Sequence, residues 1–586
     1  MWSLPGNFAT FEPRTIQYIK LTILDAWDNA NIVGIGNVDV WVMNQRSPAA
    51  IAGGGKWGIT MNFPSVPVTA FLDPKNQKLI TMASKEPDHF GDPQLNLTVS
   101  ATWDPKTGRI KQEIISITEH DLFCPGTSLD QDGQAIFTGG SSPDKFTVYS
   151  PDSQTWFTPK DLTTQKPVTI NMTRGYQGQT FLPNGKTFMI GGTWSGGGGD
   201  KHGEIYDPAT RKWSLLPGIA ASYIKMDVVT IPNCDPLNQT NKKDCVVDAW
   251  QQHHAWLFAW KNNSIFHAGP SKQMNWFFPG SAPAGDRKDA GKRADPDQRF
   301  ADGDAVCGVT AMYDAEAGLI LTAGGAPNYH YWRKVDDKTN YPEHRNESTR
   351  NAFEINIGNV SVGAQVKPRK LEDMHHQRIF ANAVILPTGE TLVVGGQIQG
   401  EPFHDETWQS TPEIYDPVTG HWREVAPHST PRVYHSWALL MPDASVLVGG
   451  SGLARQESDH YDAQIYYPPY FFSSDDKTFA PRPTVEGLDR QNKTYTAGET
   501  IVVTLGFDFD AATTTASLLR YSAATHALNN DIRRIKLTPR AVSGAARKFE
   551  VVIPRDTGVT LPGYWMLFVL VKGVPSHAQT IKISAS

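Results

Sequence analysis

The sequence predicts an all-β protein: a seven-bladed Kelch-type β-propeller followed by an Ig-like β-sandwich, with a partial β segment at the N-terminus. Three observations carry that prediction. A strand ending in a glycine pair recurs along the chain, a two-strand element opening on tryptophan sits between the copies, and alternation is common where no long segment shows the 3.6-residue period of an amphipathic helix.

The glycine-pair strands are AIFTGG (to Gly140), TFMIGG (to Gly192), LILTAGG (to Gly325), TLVVGG (to Gly396) and SVLVGG (to Gly450). SIFHAGP near Gly269 is a degenerate copy, and the steps run from 52 to 77 residues. Between them TVYSPDSQTW, EIYDPATRKW and EIYDPVTGHW set a Pro-bearing turn before Trp156, Trp213 and Trp422, with WDPKTGRI near Trp103 as an earlier version. About four short antiparallel strands in roughly 50 residues make one propeller blade, and counting degenerate copies gives seven blades over residues 46–475. After the Pro-rich PRPTVEG the period stops, and TIVVTL, ASLLRY, KFEVVI, YWMLFVLV and TIKISA read as a sandwich over residues 476–586. Residues 1–45 hold two candidate strands, TIQYIKLTI and VDVWV, too few to close a sandwich of their own.

Composition narrows the function. The 586 residues are 39% hydrophobic, 10% aromatic and 19% charged, a globular balance that excludes disorder. Lys+Arg 54 against Asp+Glu 60 gives a net charge of −6 with the signs interspersed, so no basic stripe is available and nucleic acid is not an expected partner. Apolar runs are strand-sized, so no membrane-spanning helix is expected. The opening MWSLPGNFATFEPR lacks a basic start followed by an apolar run. Seven N-x-S/T sequons, at Asn96, Asn171, Asn238, Asn262, Asn346, Asn359 and Asn492, permit a secretory route. Cys234 and Cys245 flank the polar insertion CDPLNQTNKKDC, which reads as a disulfide-closed surface loop and leaves Cys124 and Cys307 unpaired. A secreted, glycosylated monomer is the expectation.

In a propeller the first strand of each unit lines the axial channel. Lining up FCPGTSLDQDG, GYQGQTFLPNG, HAWLFAWKNN, CGVTAMYDAEAG, FANAVILPTG and YHSWALLMPDA puts Cys124, Tyr176, His254, Cys307, Phe380, Tyr434 and His435 around one mouth. Thiol, phenols and imidazoles at one rim suit a metal with N and O ligands, Cu(II) or Fe. Taken singly, a Cys or Tyr at a strand start is usually packing. On periodicity alone a non-catalytic Kelch-type binding module leads.

Longer motifs change that balance. FCPGTSLDQDGQ, TRGYQGQTFLPNGKTFMIGGTWSGG, HAWLFAWK, AGPSKQMNW, AGKR, PRVYHSWALLMPD and LPGYWMLFVLVKGVPSHAQTIKI resemble the galactose oxidase family of copper-radical alcohol oxidases, and the similarity runs from about residue 57 to the end. The resemblance implies copper held by Tyr176 in RGYQ, Tyr434 and His435 in RVYH, and His526 in RYSAATHALNN. It also implies a thioether from Cys124 to the Tyr176 ring, with Trp194 of GGTWSGG stacked over that ring. SLLRY and RRIKL flank His526 as two strands, which sets it near a hairpin tip able to reach the channel. By the same resemblance residues 1–45 are the remnant of a jelly-roll carbohydrate-binding domain.

The implied reaction takes a primary alcohol to its aldehyde while O2 becomes hydrogen peroxide. Tyr434 is the general base and the cross-linked Tyr176 the radical that removes a hydrogen atom. An activating peroxidase is the expected redox partner. Around the substrate the chain departs from galactose oxidase: Trp250 stands at the family's substrate-gripping arginine, Ala249 replaces an aromatic, and His330 replaces a glutamine, while Phe90 and Phe403 keep the aromatic walls. The expected substrates are aryl or other apolar-substituted alcohols. Galactose oxidase proper and a glyoxal-oxidase-like aldehyde oxidase are the alternatives, and Trp194 argues against the second.

Overall fold

A computed structural model describes residues 51–90, 96–226, 230–232, 244–246, 251–293, 304–327, 329, 347–455, 458–474 and 478–584. The N-terminal segment 1–45, Cys234, the side chain of Cys245, Ala249, Trp250 and His330 lie outside the described residues. Among those described, helix is confined to three single turns of 3₁₀ type, and the rest of the regular structure is strand.

Seven four-stranded antiparallel blades are laid down in chain order, counting each blade's own strands. Their inner strands are Thr69–Leu72, Gly126–Leu129, Gly178–Phe181, Trp256–Ala259, Val309–Asp314, Ile379–Ile385 and Ser436–Leu440. The seventh blade takes its outermost strand, Lys56–Asn62, from the other end of the propeller, pairing it with Asp462–Tyr467. The repeat did not reveal this closure, because a strand paired with residues some 400 positions away carries no local turn signal.

Both sequence repeats have a physical cause. In the tryptophan element, Tyr149, Tyr206 and Tyr415 stand directly across from Trp156, Trp213 and Trp422, with ring centroids 5.1, 5.3 and 5.1 Å apart. These are cross-strand aromatic pairs that seal the outer half of a blade. In the glycine pairs, the second glycine clasps the next blade. Gly140, Gly192 and Gly396 donate their N–H groups to the carbonyls of Arg174, Gln252 and Arg432 at 2.9, 2.8 and 2.6 Å. A Cβ on the preceding Gly139, Gly191 or Gly395 would sit 2.1 to 2.3 Å from those same oxygens, so only glycine permits the approach. Buried arginines brace the same strands. Arg174, Arg378 and Arg432 donate to the carbonyls of Gly191, Gly395 and Gly450 while pairing with Glu204, Glu413 and Asp462.

Two sheets follow the propeller. Val485–Leu488, Thr500–Leu505, Lys548–Val552 and Arg540–Ala541 form one, and Thr494–Thr496, Gln579–Ser584, Gly563–Val571, Thr514–Arg520 and Arg534–Leu537 lie in the other. TIVVTL alternates between half-buried and buried, as a half-covered strand should. The pair Thr514–Arg520 and Arg534–Leu537 continues beyond the sandwich as a plug in the propeller channel. Ala523–Thr525 adds to the inner strand of the first blade. Asp531 accepts from Leu129 N at 2.9 Å in the second. Asn530 donates to Gln179 O at 3.0 Å in the third and to Ala255 O at 3.2 Å beside the fourth, and accepts from Leu257 N at 3.1 Å. Arg534 O accepts from Ala315 N at 2.8 Å after the fifth inner strand, and Pro387 O of the sixth blade accepts from Ser517 Oγ at 2.9 Å. Inner strands of a propeller are sheet edges with unsatisfied backbone groups, and the plug supplies their partners.

Candidate metal centre

Six of the seven residues lined up at the channel mouth, all but Tyr434, are presented by one backbone device. Cys124, Tyr176, His254, Cys307, Phe380 and His435 all adopt left-handed φ, between 49° and 71°, just before or at the start of an inner strand. Such a conformation costs a non-glycine residue about 1–3 kcal/mol and persists only where its surroundings enforce it. Here they do: Tyr176 N donates to Cys124 O at 3.2 Å, His254 N to Tyr176 O at 2.9 Å, and Phe380 N to Cys307 O at 3.0 Å, linking one blade's entry to the next. The plug meets this ring from within. Thr525 and Leu528 exchange backbone hydrogen bonds of 3.1 and 2.7 Å around His526 and Ala527, both left-handed, a two-residue hairpin turn that holds His526 at the tip.

Four elements thereby converge. The hydroxyls of Tyr176 and Tyr434 are in contact. Cys124 Sγ lies 3.1 Å from His526 Nε2, and with His435 these three offer ligand atoms within 4.8 Å of one another. The His435 and His526 rings meet at 4.4 Å and 79°. All five side chains are buried.

Electrostatics fit a metal rather than a charged cluster. Burial lowers the His435 imidazole to about 3 and His526 well below its ordinary range, so both rings are neutral donors. Their Nδ1 atoms are engaged, His435 with Gly452 O and His526 with Thr525 Oγ1 at 2.5 Å, which turns each Nε2 toward the centre. His435 Nε2 is buried with no hydrogen-bond partner among the described residues, a position that a bound ion would satisfy. Two imidazoles and two phenols are a donor set suited to Cu(II).

Around this centre the rings are ordered. Trp194 stacks on Tyr176 at 5.0 Å and 25°. Phe90 stacks on Phe123 at 4.6 Å and on Phe403 at 5.6 Å, and Phe403 meets Tyr434 edge-on at 5.1 Å. Phe90, Phe403 and Trp194 are half-buried, which makes them the exposed rim of an otherwise buried cluster. Of the sequence-derived site residues, Cys124, Tyr176, Tyr434, His435, His526, Trp194, Phe90 and Phe403 come together here, and Trp250 and His330 lie outside the described residues. Sequence reasoning passed over Phe123, whose ring meets His435 edge-on at 5.1 Å, and Tyr329, 5.7 Å from the Tyr434 ring. Phe123 had a signal in its place beside Cys124. Tyr329 had none, because it follows a glycine-pair strand in a segment without repeat. His254 and Phe380 were placed at the mouth without a role.

Known proteins share this architecture. The family models "Galactose oxidase-like, Early set domain" and "Glyoxal oxidase N-terminus" match residues 482–583 and 312–469. Galactose oxidase of Gibberella zeae is 36% identical over 580 residues, 99% of this chain and 78% of that protein. Aldehyde oxidase GLOX1 of Arabidopsis thaliana is 25% identical over 505 residues, 82% of this chain and 74% of that one. A solved structure described as a novel fungal alcohol oxidase with catalytic diversity among the AA5 family, in complex with copper, matches with TM-score 0.77 at 37% identity, covering 91% of this chain and 100% of that chain. With that level of identity along nearly its whole length, the chain belongs to the galactose oxidase family of copper-radical oxidases.

Proposed function

We propose that this protein oxidises primary alcohols, with aryl or other apolar-substituted alcohols preferred, to aldehydes while O2 is reduced to hydrogen peroxide. The observation that carries the reading is the meeting of Tyr176, Tyr434, Cys124, His435 and His526 in one buried cluster beneath an aromatic rim. Tyr176, Tyr434, His435 and His526 are the residues that would hold copper. Bound there, copper would supply a one-electron redox partner and a Lewis acid for an alcohol oxygen. Tyr434 accepts the hydroxyl proton, and Tyr176 as a radical takes the hydrogen atom from the carbinol carbon. A thioether to Cys124 spreads the unpaired electron, and the Trp194 indole shields the ring from solvent. Two electrons and two protons then leave with O2 as hydrogen peroxide. Phe90, Phe403 and Trp194 offer flat apolar faces to the substituent on the carbinol.

Similarity to an aldehyde oxidase and to the glyoxal oxidase family model supports a second reading, in which the substrate is an aldehyde. A panel of benzyl-type and furan-type alcohols, galactose and small aldehydes, with copper content and peroxide measured together, separates the two. The alcohol reading requires about one copper per chain and peroxide from the aryl alcohols at higher kcat/KM than from any aldehyde. A secreted location, permitted by the sequons, is part of the proposal.

A further inference from the structure

We propose that His254 is a positioning residue of the radical site, a ring that fixes the plane of Tyr176 so that its ring edge meets the thiol of Cys124. The inference rests on the copper-radical reading above and assigns a side chain which that reading does not use.

A tyrosine ring is free to turn about its Cβ–Cγ bond unless its neighbours prevent it. Four aromatic side chains surround Tyr176: Trp194 at 5.0 Å and 25°, His254 at 4.8 Å and 35°, His526 at 4.9 Å and 60°, and His253 edge-on at 5.0 Å and 81°. Trp194 stacks on the ring and His254 lies tilted against it, while the other two stand at 60° or more, so Trp194 and His254 are the rings that bear on its faces. Trp194 is half-buried at the rim, within the glycine-rich stretch TWSGGGG. His254 is buried, and its backbone N–H donates to the carbonyl of Tyr176 itself at 2.9 Å. Both rings are thus tied to the Tyr176 turn, His254 at its own carbonyl and Trp194 N at 3.4 Å to the carbonyl of Gly175, with His254 making the shorter bond from the buried side. Its ring also lies at 5.6 Å and 25° to His526, which joins the radical residue to the plug.

In this proposal the imidazole acts through its ring face. His254 Nε2 is buried without a hydrogen-bond partner among the described residues. Its left-handed backbone matches that of Cys124 and Tyr176, so the fold presents it to the centre by the same device.

Cross-link formation reads the plane directly. One C–S bond forms, the thiol S–H and one ring C–H break, and two electrons and two protons pass to O2, giving hydrogen peroxide. Copper-free full-length protein is loaded with copper and exposed to air, copper content is measured, and the joined Cys124 and Tyr176 peptides, lighter by two hydrogen atoms, are followed by mass spectrometry. With copper at wild-type occupancy, His254→Ala and His254→Gln are expected to form the link at least tenfold more slowly. His254→Phe, which keeps a flat ring and removes both nitrogens, is expected to restore the rate to within about threefold. A wild-type rate in His254→Ala or His254→Gln overturns the inference. So does a His254→Phe rate as slow as that of His254→Ala, because the nitrogen then matters more than the ring, and so does loss of copper from all three variants, which would make His254 a ligand. Absence of any link in copper-loaded wild-type protein removes the copper-radical reading itself.

Discussion

The hydroxyls of Tyr176 and Tyr434 touch, although one residue opens the third blade and the other precedes the seventh. Burial pushes both phenols well above their ordinary range; at Tyr434 the neighbouring Cys124 and Cys307 thiols add to burial, while hydrogen bonds with Tyr176 and Tyr329 pull the other way. At Tyr176 the remaining influences, from Cys124, Tyr434 and Tyr329, all act in the same direction as burial. The proposed roles divide the two phenols, Tyr434 as the proton acceptor and Tyr176 as the radical. Tyr434→Phe is expected to keep the Cys124 to Tyr176 link and its radical absorption while kcat falls by roughly 100- to 10,000-fold, the usual worth of general base catalysis. Near wild-type turnover in that variant, measured by peroxide release, removes Tyr434 from the mechanism.

Asn530 stands four residues after His526 and ties the plug to three backbone groups, Gln179 O, Ala255 O and Leu257 N. Its loss leaves buried backbone donors and acceptors unmet, at a cost of about 1–3 kcal/mol for a buried group. Asn530→Ala should lower the melting temperature and weaken copper binding, since the tip that carries His526 loses its anchor. Calorimetry with and without copper tests this: a variant that melts earlier but binds copper as tightly as wild type would show that the anchor stabilises the fold without setting the height of His526.

Most of the propeller was legible because its signals are local. The Tyr and Trp of EIYDPATRKW lie across one hairpin, and the glycine pair that clasps the next blade recurs in every copy that keeps it. The centre was legible only in part. Strand-start alignment brought Cys124, Tyr176, Tyr434 and His435 to one mouth from periodicity, but their roles, and the link to His526, came from resemblance to a family. His526 reaches the centre from the plug, some 90 residues downstream of His435, and no repeat marks that distance. The closure of the seventh blade by Lys56–Asn62 escaped notice for the same reason.

Asp121 offers a test by pH. Its carboxylate accepts from Phe123 N at 3.1 Å and from Ser84 Oγ at 3.0 Å, holding the turn that carries Cys124, and burial pushes its pKa up to about 6. A carboxyl raised in the folded state binds a proton there before the unfolded chain does. Its contribution to stability is therefore largest at low pH and declines as pH rises from about 4 to 6. Buried neutral histidines such as His120 and His428, lowered to about 3, act oppositely and dominate the acid side, so the comparison must be between variants. Asp121→Asn keeps an acceptor for Phe123 N and carries no charge. Relative to wild type it should gain stability between pH 4.5 and pH 7, on the order of 3 kcal/mol at most. A difference in melting temperature that does not change with pH would mean that Asp121 is not the group titrating.

The last prediction concerns substrate, where the chain departs from galactose oxidase. An arginine donating to a sugar hydroxyl makes a charge-assisted hydrogen bond worth about 1.5–3 kcal/mol, so if Trp250 stands in its place, as the resemblance implies, galactose turnover should be weaker by roughly 10- to 150-fold in kcat/KM. The rim that remains, Phe90 stacked between Phe123 and Phe403, presents ring faces in place of hydrogen-bond donors. Benzyl-type and furan-type alcohols should accordingly outperform galactose. Phe90→Ala should reduce kcat/KM for the aryl alcohols by about tenfold, chiefly through KM, and leave the rate with a small alkanol nearly unchanged, because the lost stacking surface acts on the substituent and not on the carbinol. Trp250→Arg should shift preference partway toward galactose, and only partway, since Ala249 and His330 also differ. If the wild-type enzyme turns over galactose more efficiently than every aryl alcohol tested, the aromatic rim does not select the substrate, and the specificity resides in groups other than Phe90 and Trp250.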